Sequence, residues 1–485
     1  MYKAKCLLKG MASLFLLLSL WSCAIGPDYR RPVVDAPAAW RLTEPEAKDF
    51  ADTVWWEQFG DPVLNELIAS ALQENKDLRI ATARVEEFMG RYSVTRAALF
   101  PQATAVALGQ RKAVSRYLNP AWSYAADNPY NDFQGFVSAS WEIDIWGRVR
   151  RATEAARAEL FSTEEGRRGV VLLVTAAVAT AYADLRYLDK QLEIAEGTAK
   201  SREHSFELFS LRFERGLISE LELRQVESEY RLALATIPLL QKLIIQQENG
   251  LNVLLGRNPG PIPRGLNLDS LNLPAVPAGL PSQLLERRPD LRQAEQNLIA
   301  ANARIGVAKA LYFPVISLTG SFGLESNELS NLFLGPAKMW SYAGAAAMPV
   351  FTAGAIAGQV RAAEAVKEQY IARYQQVIQQ AFREVEDALI DQHKSREQLV
   401  IQRQQVDALR SYASLASVRY ENGYTSYIEV LDAERSLFNA ELASTQTQDN
   451  LFRSLVNLYK SMGGGWVAKA DKLTSGGPHD GTLSD

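Results

Sequence analysis

The chain is written twice, and this duplication restricts its fold more than any other feature. Asp77-Leu78-Arg79 and Phe100-Pro101 return as Asp290-Leu291-Arg292 and Phe313-Pro314 at a constant offset of 213. Gly147 matches Gly354, and Arg212-Phe213-Glu214-Arg215-Gly216 matches Arg419-Tyr420-Glu421-Asn422-Gly423, both at an offset of 207. Glu227 with Glu434 and Gly256 with Gly463 keep that second offset. Self-similarity at a fixed period makes each copy a structural unit that its neighbour helps to bury. The copies span residues 62–256 and 281–466. A linker at 257–280 joins them, segments 1–22 and 23–61 precede them, and the tail at 467–485 has a polar composition that reads as disordered.

Each copy reads as a helix, two strands and two very long helices. The first helix is predicted from about Pro62 to Leu99, stopped by Pro101, and its partner from about Pro281 to Tyr312, stopped by Pro314. Strict alternation follows over 133–146, where Phe133, Val137, Trp141 and Ile143 interleave with Gln134, Ser138, Ser140 and Glu142. Only Phe136 breaks the polar face. The same period covers 316–325, and weaker versions cover 102–110 and 340–348. Four strands of about ten residues suit a tilted crossing of a bilayer.

Beyond Gly147 and Gly354 the period becomes helical. Leu223, Val226, Tyr230, Ala233, Ile237, Leu240, Ile244, Gln247, Leu251 and Leu254 step by three and four, and Val430 to Leu458 keeps the register with smaller residues. This is coiled-coil packing. Four helices of about 45–60 residues, roughly 65–90 Å each, are expected, with Pro238 bending one of them. Their hairpin reversals are expected near Ile194–Lys200 and Ile401–Arg410.

Four strands cannot close on themselves, and a sheet edge facing lipid leaves backbone groups unpaired at several kcal/mol each. Several chains must therefore pool their strands. Two chains give eight strands, a barrel that its own side chains fill, while three give twelve and a wide lumen. Trp122, Tyr124, Tyr130, Trp340 and Tyr342 flank the strands where an interfacial girdle would sit. No apolar run of about 20 residues follows the leader, so a helical membrane span is not expected.

The leader itself, 1–22, is basic at Lys3, Lys5 and Lys9 and apolar from Met11 to Trp21, the layout of a secretory signal peptide. Leu20-Trp21-Ser22-Cys23 looks like a bacterial lipobox, which makes Cys23 the lipid attachment residue. An ordinary cleavage site followed by a free thiol is the alternative. The chain has only two cysteines, and removal of Cys6 with the leader leaves no internal disulfide.

Cys23-Ala24-Ile25-Gly26-Pro27-Asp28-Tyr29-Arg30-Arg31-Pro32 resembles the mature start of lipidated outer-membrane factors of the TolC/OprM type. Trp55-Trp56 with Phe59 and Asp61-Pro62, Arg288-Pro289-Asp290-Leu291, Val430-Leu431-Asp432-Ala433-Glu434-Arg435 and Gly463-Gly464-Gly465-Trp466 are similar to that family as well. The resemblance, over residues 20–466, implies a palmitate-bearing lipoprotein and a homotrimer. It further implies a twelve-stranded outer-membrane β-barrel continued by a long α-helical barrel in the periplasm. Residues near 40–60 and 256–280 and the C-terminus would form an equatorial belt. It also implies a periplasmic adaptor and an inner-membrane RND transporter as partners, and passive export of drugs or other small toxic solutes. In this reading the hairpin tips close the periplasmic aperture, with Leu399, Arg403 and Asp407 as candidates to point inward.

Nothing in the sequence suggests catalysis, and no cofactor or metal site is expected. His204, His393 and His479 lack ligand spacing, and Gly463-Gly464-Gly465 has no following Lys-Ser/Thr for a phosphate loop. The net charge of −4 leaves no footprint for nucleic acid. An efflux duct, a type I protein-secretion or metal-ion duct of the same fold, and a coiled-coil scaffold are the three readings. The alternating strands and the lipobox favour the first.

Overall fold

A computed structural model describes residues 24–34, 37–41, 54–115, 117, 129–273 and 281–463; the side chains of 281–283 are not described. Cys23, Trp122, Tyr124, His479 and the tail therefore lie outside the described residues. In the first copy α1 is Pro62–Glu74, α2 Lys76–Ala97, β1 Gln102–Lys112, β2 Tyr130–Ile143, α3 Arg148–Glu214 and α4 Glu220–Leu254. The second repeats the order with α5 Pro281–Arg287, α6 Pro289–Ala310, β3 Val315–Ser326, β4 Lys338–Ala347, α7 Ala355–Glu421 and α8 Tyr427–Ser461.

Each predicted single first helix is broken in two, and long-range partners explain why. Asn75 ends α1 and caps α2, its Oδ1 accepting from Leu78 N at 3.0 Å while its Nδ2 donates to Leu254 O at 2.7 Å. The equivalent break falls at Arg288, whose Nη1 donates to Ser461 O at 3.0 Å, before Pro289. Both contacts satisfy a carbonyl at the end of the copy's last helix, groups otherwise left without a partner. Gly256 and Gly463 follow with positive φ. A Cβ at Gly256 would stand 2.2 Å from Glu74 O, so only glycine closes that turn.

The long helices also differ from expectation. α3 and α7 run 67 residues each, α4 and α8 only 35. The reversals lie at 215–219 and 422–426, not at 194–200 and 401–410, which are mid-helix. The earlier segments hold no proline, and the isolated Gly197 is tolerated inside α3. Gly216 and Gly423, both left-handed, are the actual stops. Ser219 then opens α4 with a reciprocal capping box to Glu222. Pro238 sits inside α4 without ending it.

The described residues divide into two compact units that cut across the two copies: those within 1–33, 85–163 and 294–374 form one, and those within 34–84, 164–293 and 375–485 the other. The first unit holds the sheet, and the second the larger core. There Trp55 stacks on Tyr459 (centroids 5.1 Å apart) and Phe59 meets Phe452 at 4.3 Å. Asp61, wholly buried, caps α1 and accepts from Tyr182 Oη at 2.8 Å and Leu266 N at 2.9 Å. Contrary to expectation, α3 does contain a stretch long and apolar enough to cross a membrane. Its Val171, Val178, Ala179 and Tyr182 are fully buried in this core instead.

Candidate functional site

The four strands pair antiparallel in the order β1-β2-β3-β4, and one unbroken register gives the sheet two chemically opposite faces. Directly paired residues share a face. One face carries Ala105, Val137, Phe322 and Trp340 in one row, and Trp141, Leu318 and Gly344 in another. These apolar groups are largely exposed: Val137 53%, Phe322 65%, Trp340 68% and Tyr342 81%. A monomer in water would not offer so large an apolar patch. The opposite face carries Thr104, Ser138, Ser321 and Ser341 in one row, and Gln134 with Glu325 in another that Leu108 of β1 completes. Near the β1–β2 loop, Asp132 is almost buried, bound by Gln110 at 2.9 Å, Lys112 at 3.0 Å and Gln134 at 3.1 Å.

Of the expected girdle aromatics, Trp340 and Tyr342 lie on the apolar face and stack on each other. Tyr130 does not. It pairs with Lys112 on the polar face, and the ammonium sits 5.1 Å from its ring, because strand parity rather than proximity to the strand end decides the side.

At the other end of the sheet, β2 passes into α3 through a tightly bonded corner. Glu142 and Arg148 form a two-pronged pair at 3.0 and 2.6 Å. Asp144 accepts from Val149 N and Arg150 N, capping α3. Residues 24–31 strap this corner to α6. Ile25 N donates to Trp146 O, Arg151 pairs with Asp28 at 2.7 Å and holds its carboxyl below the usual range, and Arg31 grips Glu295 at 2.7 and 2.6 Å. Ala24 packs on Gly147, where a Cβ would come within 2.7 Å of its Cα.

The aperture candidates all lie in α7. Leu399 is 5% exposed and packs inward within its own chain, in step with Gln392 and Val406. Arg403 and Asp407 are exposed. Asp407 pairs with Arg410 at 3.2 Å, and Arg410 reaches Glu441 of α8 at 2.9 Å. Asp407 stands fifteen residues before Asn422, about 22 Å along the helix from the reversal. At the reversals a cluster that sequence reasoning missed ties the two hairpins together. Arg212 Nη1 donates to Tyr420 Oη at 2.7 Å, and the Phe209 and Tyr427 rings lie 4.2 Å apart. Arg212 and Tyr420 lie in the runs 212–216 and 419–423 that match between the two copies, and that match was the available signal.

The family described as Outer membrane efflux protein matches residues 67–257 and 280–464. The solvent efflux pump outer membrane protein SrpC of Pseudomonas putida is 37% identical over 469 residues, 93% of this chain and 97% of that protein. The cation efflux system protein CusC of Escherichia coli O157:H7 is 34% identical over 460 residues, with 93% and 97% covered. Among solved structures, the open state of the MtrE outer membrane channel of Neisseria gonorrhoeae superposes with a TM-score of 0.83 at 31% identity. That match covers 92% of this chain and 99% of that one.

Proposed function

The chain belongs to the outer membrane efflux protein family, and from that premise we propose that three copies close one passive exit duct for a tripartite pump. The two-faced sheet carries this reading. Its apolar face suits lipid and its polar face suits water, while β1 and β4 are left as edges. In a bilayer those edges must pair with another copy. Three copies give twelve strands and a lumen wide enough for solutes.

The two copies, 62–256 and 281–466, then supply equivalent halves of the wall, with 23–61 and 257–280 as a belt, 1–22 as the cleaved leader and 467–485 as a free tail. Acylated Cys23 would enter the bilayer beside the corner on which Ala24 packs. Of the three aperture candidates, the exposed Arg403 and Asp407 would face the neighbouring copies at the periplasmic aperture, while Leu399, buried in its own chain, would hold the helix behind them. A periplasmic adaptor would open it, and a proton-driven inner-membrane RND transporter would supply the energy. No step of this transport requires bond chemistry in the duct.

Small organic toxicants are the proposed cargo, on the strength of the solvent-pump relative. Metal cations are the second reading, supported by the similarity to CusC. Native mass spectrometry of detergent-solubilised protein should give three chains, and a dominant monomer or dimer would refute the shared barrel. A deletion strain should become sensitive to solvents and antibiotics; sensitivity confined to metal salts would move the cargo to the second reading.

A further inference from the structure

On the conducting face one row of residues lacks a polar group on all four strands. Val106 is paired with Phe136, Phe136 with Gly323, and Gly323 with Met339. On one side lies the hydroxyl row of Thr104, Ser138, Ser321 and Ser341, with the Ser321 and Ser341 hydroxyls 2.8 Å apart. On the other side the row is apolar only at Leu108 of β1, while Gln134 reaches Glu325 at 3.2 Å, and beyond it stand Gln110, Lys112 and Asp132.

The band is closed over its own middle. A Cβ at Gly323 would lie 2.3 Å from Cβ of Phe136, so no other residue lets Phe136 keep its place. Gly323 is buried as a result, whereas Val106, Phe136 and Met339 stay half-exposed. A cross-strand pair serving sheet stability needs two strands. A row in which every member of all four strands lacks a polar group presents an apolar surface to water, with Phe136 covering the buried Gly323.

We propose that this band is a contact site for apolar and aromatic solutes in transit, formed by Phe136, Met339 and Val106. The inference rests on the reading of the polar face as the lumen. Lipid touches the opposite face, and an enclosed lumen admits no folded partner, so the occupant is a small molecule passing through. An aromatic ring, a thioether and branched methyls in one row attract such solutes through dispersion and sulfur–ring or ring–ring contact. With no charge and an open side, it also releases them, as conduction requires. Each chain contributes one band, so a trimer offers three.

The test uses the purified full-length trimer in planar bilayers, with benzylammonium or methylammonium added from the outer side. The two probes share a charge and differ in the ring. Benzylammonium should reduce single-channel conductance or add current noise at concentrations where methylammonium does not. Phe136→Ser should weaken that ring-dependent block about fivefold or more, the scale set by losing an aromatic partner. Met339→Ser should weaken it by a smaller factor, and Ser138→Ala should leave it unchanged. Should Phe136→Ser fail to assemble, Met339→Ser decides, because Met339 takes no part in the Phe136–Gly323 contact. Wild-type block in both variants overturns the proposal, as does a block abolished only by Glu325→Gln, which would make it electrostatic. Wild-type protein that forms no conducting trimer overturns the duct reading itself.

Discussion

Replacing Asp184 by Asn should stabilise the protein at neutral pH, even though it removes one partner of an ion pair. Asp184 of α3 and Asp449 of α8 share a single guanidinium: Arg453 lies 2.7 Å from Asp184 Oδ1 and 2.8 Å from Asp449 Oδ2. Asp449 is fully buried, and its second oxygen has no hydrogen-bond partner. Burial first, and the Asp449 charge second, push the Asp184 carboxyl up to about 6, against the opposing pull of Arg453 and Gln247. A rise of about two pKa units corresponds to roughly 3 kcal/mol of disfavour for the charged form. The sign follows from the proton count. Below about pH 4 both folded and unfolded states hold the proton and no penalty exists. Between about pH 4 and 6 the unfolded chain releases it while the folded protein keeps it, so stability falls, and above pH 6 the whole penalty stands. Asn carries no charge at any pH. The variant should therefore match the wild type near pH 4 and exceed it by about 1–3 kcal/mol at pH 7.5, a rise of a few degrees in Tm. Thermal unfolding of the solubilised protein from pH 4 to 8 measures both ends. A variant less stable than wild type at pH 7.5, or one with the same pH slope, would show that the Arg453 pair outweighs burial.

Cys23→Ser behind a cleavable signal should remain in the outer-membrane fraction at reduced yield, since acyl chains add less than a closed barrel does; recovery only as soluble periplasmic protein would refute this. Asp407→Ala should alter cation selectivity or conductance in planar bilayers, because a ring of carboxylates attracts cations. Changing Arg403 as well should increase opening further, since Arg403 makes no ion pair within the described residues of its own chain and is free to meet a neighbour. A double variant with wild-type conductance and selectivity would place both residues on a solvated outer face.

The strands were legible because a half-exposed strand writes its two faces into alternate letters. The one apparent defect, Phe136, was visible too, but its meaning needed the register that sets it over Gly323. The coiled-coil seam was equally legible: every position from Leu223 to Leu254 read as inward-facing is at least half-buried. What the sequence hid depends on partners far along the chain. The breaks at Asn75 and Arg288 sit inside continuous helical patterns, and each is decided by a carbonyl more than 170 residues away, at Leu254 and Ser461. In the Asp184–Arg453–Asp449 group only the four-residue spacing of Asp449 and Arg453 is local, and Asp184 joins them from far along the chain.

The misplaced reversals are a different matter, because the signal for them lay in plain view. Three glycines recur in both copies, Gly147 with Gly354, Gly216 with Gly423 and Gly256 with Gly463. All six adopt positive φ, a conformation that costs other residues energy. Chance substitution would not keep glycine at matched positions of two diverged copies unless the backbone demanded it there. The second copy thus acts as an internal alignment: a glycine kept in both halves marks where the chain must turn, whereas Gly197, unmatched by Gln404, is free to sit inside a helix. By that rule the reversals follow from the repeat alone, at Gly216 and Gly423, and so does the length of α3 and α7. The aperture candidates then fall several turns above the tip, where Arg410 and Glu441 can tie α7 to α8 without blocking the reversal itself.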